Sequence, residues 1–363
     1  MERSLRIVRG ELKPMKVLVT GTEGYIGARL APWLTTRGHE VVGLDTGFYR
    51  DGTLYLDPIG LPQLPRTICK DLRTVVPQDF EGFDAVVHLA ELSNDPLGQN
   101  RPEITFKINH EGSVRIAQAA RRAGVKRLVY ASSCSVYGIG AADFVDETSP
   151  VNPQTAYAQC KTLVERDLKP MADQDFSVVF LRNATAYGAS PRMRFDIVLN
   201  DLCALAWTKK KIAMISDGSP WRPIVHVEDI SRAFVAVLAA PRETVHNQAL
   251  NVGKTEENYR IRELAEIVRE VVPGSQIEYA RDGGPDTRCY RVDFGKIARL
   301  LPDFQPQWNA RRGAEELYAA YQRTGLSLEE GEGPPLKRID HLKHLIAIGS
   351  VDATLRWKAD ARR

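Results

Sequence analysis

Residues 16–27 read KVLVTGTEGYIG, and no other stretch restricts the fold of this chain so tightly. After Lys16 comes a short apolar run of the kind carried by a strand buried on both faces. Glycines at 21, 24 and 27 follow at once. Ile26, Leu30, Trp33 and Leu34 then recur at helical spacing, and Gly38 stands where a helix stops. A strand that turns through glycines into a helix predicts the first unit of a parallel sheet. The same rhythm continues with apolar runs at 41–44, 85–89, 128–131 and 178–181, the later ones separated by helical patterns at 102–123 and 156–172. Strands alternating with helices predict an α/β chain with a doubly wound parallel sheet covered on both faces.

Past about residue 185 the alternation loosens. Helices near 195–210, 229–240 and 260–272 and a short strand at 249–252 are expected there, which suits a smaller C-terminal α/β part that binds substrate. The division read from the sequence is an N-terminal extension at 1–14, a Rossmann-type dinucleotide-binding domain at 15–185 to which about 222–253 return, a substrate-binding region at 186–302 and a C-terminal helical tail at 303–363. Segments 46–66 and 324–337, rich in Gly and Pro, read as loops.

Bulk properties exclude several classes. The 363 residues carry 49 basic and 46 acidic side chains, a net charge of +3, which argues against a nucleic-acid surface. No apolar stretch approaches the roughly 20 residues that span a bilayer, so no membrane partner is expected. The polar start MERSLRIVRGELKP has no signal-peptide core and points to the cytoplasm. Five irregularly spaced cysteines fit reduced thiols. His341 and His344 lack the companions of a metal site, and no metal is expected.

Gly21, Gly24 and Gly27 let the backbone turn tightly and approach a pyrophosphate at the helix N-terminus. Asp45 ends the next strand, where a carboxylate accepts hydrogen bonds from an adenosine ribose and repels a 2′-phosphate; this favours NAD over NADP. Tyr157 and Lys161 lie four apart, on one face of a helix. Of the twelve tyrosines only Tyr157 is followed by lysine at that distance. An ammonium so placed favours the phenolate and pulls its pKa down from about 10.

The spacing Gly-x-x-Gly-x-x-Gly, followed in order by HLAELS at 88–93, Asn109 before EGSVRIAQAA, SSCSVYG at 132–138, YAQCK at 157–161 and RPIVHVEDI at 222–230, resembles the extended short-chain dehydrogenase/reductase family. Its best-known members are nucleotide-sugar epimerases and dehydratases, UDP-glucose 4-epimerase among them. The likeness covers residues 16 to about 295. It implies cofactor contacts from Gly21, Glu23, Gly24, Tyr25, Ile26 and Gly27 in the loop, and from Asp45, Asp71 and Leu72 around the adenosine. Leu89, Ala90, Glu91, Asn109 and Ser132 would complete them, with Lys161 binding the nicotinamide ribose beside Tyr157. It further implies that Ser133 supplies the catalytic hydroxyl.

The resemblance also has gaps. Sugar 4,6-dehydratases of the family carry Asp-Glu directly after the catalytic hydroxyl residue, and UDP-glucuronate decarboxylases carry glutamate at the second of those places. Here stand Cys134 and Ser135, which cannot act as a carboxylic acid–base pair near pH 7. Cys134 reads as a packed thiol. For the substrate, the family pattern points to Arg222 as a grip on a nucleotide diphosphate. Ser133, Asn183, Thr185, Arg192, Arg194, Asn200 and Arg288 are further expected contacts, although Asn183 stands two places before the family's asparagine and Thr185 takes its position.

The reading is an NAD-dependent nucleotide-sugar epimerase acting at C4 through a transient 4-ketose, on a nucleotide-diphosphate sugar, as a homodimer paired by the helices at 102–123 and 156–172. The alternatives are a net dehydrogenase, ketoreductase or dehydratase on an activated sugar and, from another class, a non-catalytic NAD-binding regulatory protein.

Overall fold

The computed structural model describes residues 13–50, 52–54, 64–93, 101–140, 143–214, 216–279 and 289–358. Strands β1 (Lys16–Thr20), β2 (Glu40–Asp45), β3 (Thr67–Cys69), β4 (Ala85–His88), β5 (Arg127–Ser133) and β6 (Ser177–Asn183) build a sheet. A later strand, Ala249–Val252, here β10, completes it at one edge. The sheet has seven strands in the order β10-β6-β5-β4-β1-β2-β3, and every pairing is parallel. Strand order reverses between β1 and β4, which opens a crevice at the carboxyl ends of those strands. The expected fold class is the observed one.

Alternation along β1 explains the two layers. Val17 and Val19 pack into one core with Leu30 and Leu34 of helix α1 (Gly27–Thr36). Ile230 and Phe234 join them from helix Val227–Ala239, α5 in chain order. Leu18, between those valines, faces the other core with Ile116 and Ala120 of α2 (Gly112–Arg122) and Val164 and Leu168 of α3 (Ala156–Leu168). Burying such a side chain is worth about 1.5–3 kcal/mol, so a one-residue slip of register would invert both layers at prohibitive cost.

Two expected helices differ in detail. The pattern at 102–123 resolves into a short helix Pro102–Thr105, a π-helical stretch Phe106–Glu111 and then α2. The pattern at 156–172 yields α3, which ends at Leu168 before a 3₁₀ turn Lys169–Met171, because Pro170 has no N–H for another helical turn. At its start Thr155 caps α3, its hydroxyl accepting from the Ala158 amide at 3.2 Å.

A third core lies beyond the sheet. Helix α4 (Val198–Lys209), α6 (Ile261–Val271) and α7 (Ala310–Thr324) contribute Leu199, Cys203, Leu264, Val268 and Leu317 to it. Strands β7 (Thr185–Tyr187), β9 (Trp221–His226) and β11 (Asn258–Arg260) form a small sheet, and β8 (Lys211–Met214) pairs with β12 (Gln276–Tyr279). The segment 324–337, expected as a loop, contains a short helix Leu328–Glu332 that Ser327 and Glu330 cap reciprocally. The tail then forms α8 (Arg338–Ala347), whose Leu342 and Leu345 pack into the second core. Among the described residues no helix is long and apolar enough to cross a membrane.

Candidate active site

The crevice holds a cavity of about 840 Å³, a size suited to a large ligand. The glycine loop forms one wall. Gly21 has φ +75°, and a Cβ there would stand 2.9 Å from the Ala90 nitrogen. A Cβ on Gly27 would stand 2.1 Å from the Gly21 carbonyl oxygen. Both positions therefore require glycine, and the tight turn brings Tyr25, Ile26 and Gly27, where α1 begins, onto the cavity. The Tyr25 hydroxyl donates to the Gly188 carbonyl at 2.7 Å, which ties the loop to the segment beyond β7.

Asp45 closes β2 at the same wall. Its carboxylate accepts from the Glu23 amide at 3.0 Å and the Gly47 amide at 2.8 Å, while burial raises its pKa against those bonds. Asp71 and Leu72 also line the cavity. Asp71 is held by Arg73, which donates from Nε at 3.0 Å and Nη2 at 2.6 Å.

At the other end Ser133, Tyr157 and Lys161 line the same cavity, brought together from β5 and α3. Lys161 Nζ lies 2.7 Å from Glu91 Oε2, their side chains 4% and 2% exposed. The ammonium also donates to the Ala131 carbonyl, and it stands 5.3 Å from the centre of the Tyr157 ring. Burial works against charge on Lys161, but the attraction of Glu91 and Tyr157 outweighs it and raises its pKa. The Tyr130 hydroxyl donates to Glu91 Oε1 at 2.5 Å, so the carboxylate has partners on both oxygens.

The strand end carrying Ser132 and Ser133 is fixed by a buried ionic network. Arg182 of β6 bonds Glu165 of α3 through Nη2–Oε2 at 2.7 Å and Nε–Oε1 at 3.0 Å. Ser132 donates to the same Glu165 at 2.6 Å. Arg182 also donates to the Tyr137 hydroxyl at 3.0 Å, and that hydroxyl donates to Asn251 at 2.8 Å. A fully partnered network of this kind rigidifies its surroundings. Cys134 is packed beneath it, its thiol pointing to the Arg182 carbonyl at 3.1 Å, and burial pushes its pKa up. Ser135 lines the cavity, and its hydroxyl has no hydrogen-bond partner.

Not every expected contact reaches the cavity. Asn109 is fully buried in the π-helical stretch and spends its side chain on Leu92, accepting from its amide at 2.8 Å and donating to its carbonyl at 2.9 Å. It holds the wall from behind and does not line the cavity. Asn200 likewise accepts from the Gly188 amide at 3.0 Å and donates to the Arg194 carbonyl at 3.1 Å, away from the cavity lining. Glu23 pairs with Arg50 at 2.7 Å and contributes its backbone to Asp45; neither Glu23 nor Arg192 lines the cavity.

Leu89, Ala90, Asn183, Thr185, Arg194 and Arg222 do line it. Asn183 donates to the Ser132 carbonyl at 3.3 Å and leaves its buried Oδ1 without a partner. Arg222 is buried at the β9 wall, and its Nη1 donates to the Trp221 carbonyl at 2.8 Å. Arg288 lies outside the described residues. The sequence reading missed Tyr49 and Arg338, both of which line the cavity and neither of which sits in a recognisable motif.

These features fit NAD. The glycine turn and helix N-terminus would hold its diphosphate, Asp45 its adenosine ribose and Lys161 its nicotinamide ribose. The comparisons with known proteins agree. UDP-glucose 4-epimerase from Bacillus subtilis is 28% identical over 336 residues, covering 84% of this chain and 95% of that protein. UDP-N-acetyl-alpha-D-glucosaminuronate decarboxylase from Bacillus cytotoxicus is also 28% identical, over 79% of this chain and 89% of that protein. Among solved structures, MoeE5 in complex with UDP-glucose and NAD superposes with a TM-score of 0.71 at 28% identity, covering 86% of this chain and all of that one (100%). The model of the NAD dependent epimerase/dehydratase family matches residues 17–253. This chain belongs to that family, and NAD is its cofactor.

Proposed function

We propose that the protein is an NAD-dependent C4 epimerase of a nucleotide-diphosphate sugar. An epimerase and a decarboxylase are equally identical to the chain, so overall likeness does not choose between reactions. The local chemistry supports epimerisation. Ser133, Tyr157 and Lys161 share one cavity, while the two places that carry acids in dehydratases hold the packed thiol of Cys134 and the hydroxyl of Ser135. Among the described lining residues the carboxylates are Asp45, Asp71, Glu91 and Asp196, and each is already bonded: to backbone amides, Arg73, Lys161 and Arg194 in turn. That is the observation carrying the reading. Abstraction at C5 would need a free base that the described lining residues do not offer.

NAD, when bound, supplies reversible hydride acceptance. Tyr157 exchanges a proton with the C4 oxygen, and Ser133 hydrogen-bonds the same oxygen and steers that transfer. Lys161, kept charged by Glu91, holds positive charge beside the phenol. Arg222 and Arg194 suit the diphosphate.

The test is incubation with UDP-, TDP-, GDP- and CDP-sugars in D₂O. C4 epimers free of solvent deuterium are expected, with no net change in nicotinamide absorbance. Deuterium at C5 or C6 would replace this reaction with dehydration or 3,5-epimerisation, and stoichiometric NADH would replace it with net oxidation.

A further inference from the structure

The C-terminal segment delivers one side chain that no motif assigns. Arg338, the first residue of α8, lines the cavity although it lies far beyond residues 17–253. It is only 3% exposed. Its guanidinium stacks 4.0 Å from the centre of the Tyr49 ring, and Nη2 donates to the Arg192 carbonyl at 3.1 Å. Nη1 is buried and has no hydrogen-bond partner among the described residues.

Among the described residues no carboxylate is bonded to it. Arg192, Arg194 and Asp196 all act on Arg338. Both Asp196 oxygens are engaged by Arg194, at 2.8 Å and 3.1 Å. Asp196 is thus committed to Arg194, and burial drags the Arg338 pKa down to about 10. An unpaired buried cation is costly until an anion joins it.

Position identifies the anion. Tyr49, under the Arg338 guanidinium, follows the turn in which Asp45 accepts from the Gly47 amide at 2.8 Å, and Asp45, Tyr49, Arg194 and Arg338 line one cavity. Arg194 is tied to the glycine loop through Asn200, which donates to the Arg194 carbonyl at 3.1 Å and to the Tyr25 hydroxyl at 3.3 Å. The guanidiniums of Arg194 and Arg338 thus line the cavity beside the glycine loop, where a dinucleotide carries its diphosphate.

We infer that Arg338 is a diphosphate-binding residue of this cavity, contributed by the C-terminal segment. This rests on the cofactor and substrate class given above and adds a contact to them. The diphosphate comes either from NAD or from the nucleotide sugar, and the experiment separates these sources.

Arg338→Met keeps an apolar stem over Tyr49 and removes the charge; Arg338→Lys keeps the charge and loses the planar fork. Calorimetry would measure NAD binding, and then binding to the NAD-loaded protein of whichever of UDP, TDP, GDP and CDP the wild type holds most tightly. Loss of a charge-assisted bond lowers affinity about 10- to 100-fold. A fall for NAD in Arg338→Met, with partial recovery in Arg338→Lys, identifies the cofactor's diphosphate. A fall confined to the nucleoside diphosphate identifies the substrate's. Unchanged affinity for both overturns the inference.

Should Arg338→Met fail to fold, hydrogen exchange of the wild-type amides at 338–347 decides instead. Protection by NAD or the nucleoside diphosphate supports the contact, and no protection by either overturns it. A wild type that binds NAD normally but epimerises nothing would count against the proposed reaction and leave this inference standing.

Discussion

The pairing of Lys161 with Glu91 decides how this lysine can stay charged at 4% exposure. Removing one partner of a buried ion pair costs about 3–5 kcal/mol, because the remaining charge is stranded. Glu91→Gln is expected to lose stability of that order in urea unfolding. The double variant Glu91→Gln/Lys161→Met should recover at least 1 kcal/mol of the summed single losses, the coupling expected of residues in contact. Strict additivity would mean that the pair carries no mutual stabilisation. Tyr157→Phe, which removes the phenol but not the ring, should abolish turnover and leave NAD binding nearly intact; an unaffected rate would remove Tyr157 from the chemistry. The sequence shows Tyr157 and Lys161 through their spacing, but it does not show what Glu91 does. A carboxylate meets an ammonium here only because β4 and β5 are neighbours under α3.

Among the elements, β4 bears a histidine whose surroundings set an acid limit. His88 Nδ1 is 2.7 Å from the Thr20 hydroxyl and Nε2 is 2.8 Å from the Ser113 hydroxyl. Ser113 donates to the Asn109 carbonyl at 2.5 Å, so its oxygen is left to accept and the imidazole proton belongs on Nε2. Burial and the nearby Lys161 push the His88 pKa down to about 3. The unfolded chain binds a proton near pH 6.5 that the folded one refuses. This stability is complete above pH 6.5 and lost as pH falls toward 3. Between pH 7 and 5 the loss is about 2 kcal/mol from this group alone. His88→Gln should flatten the change in urea midpoint over that range by a corresponding amount, and equal slopes in both proteins would reject the assignment. Strands such as β1 and β10 are legible as apolar runs because neighbours cover both their faces. Strands β3, β7 and β11 are not: each has three residues and none is fully buried along its length. The turn of Asn109 onto Leu92 depends on a π-helical stretch that shifts the helix face, which periodicity near 3.6 cannot reveal.

Across the whole molecule, the tail at 303–363 is the part whose role was least legible, since its contacts join segments distant in sequence. Trp357 Nε1 donates to the Thr46 carbonyl at 2.8 Å, and its ring lies 5.8 Å from that of Phe48. His341 Nε2 bonds the Phe48 carbonyl at 2.6 Å. Arg73, which holds Asp71, also donates to the Thr354 and Leu355 carbonyls at 2.7 and 2.9 Å. The tail thus braces both loops at the end of the cavity that Asp45 and Asp71 line. If the same loops hold NAD, cofactor and tail must stabilise one another by an equal free energy. In the wild type, NAD at about 100 times its Kd should add about 2.7 kcal/mol to stability. Trp357→Ala should weaken NAD binding about 3- to 10-fold, and at the same NAD concentration the added stability should shrink by about 0.7–1.4 kcal/mol. Calorimetry and thermal unfolding with and without NAD measure the two sides independently. A variant that is less stable yet binds NAD as tightly as the wild type would reduce the tail to packing and break the coupling. The assembly is a separate question: a homodimer through the outward faces of α2 and α3 remains the expectation, and a monomeric mass in light scattering at micromolar concentration would reject it. Because the Trp357 and Arg73 bonds run to the loops after β2 and β3, on the far side of β1 from β4 and β5, the NAD coupling should persist in either oligomeric state.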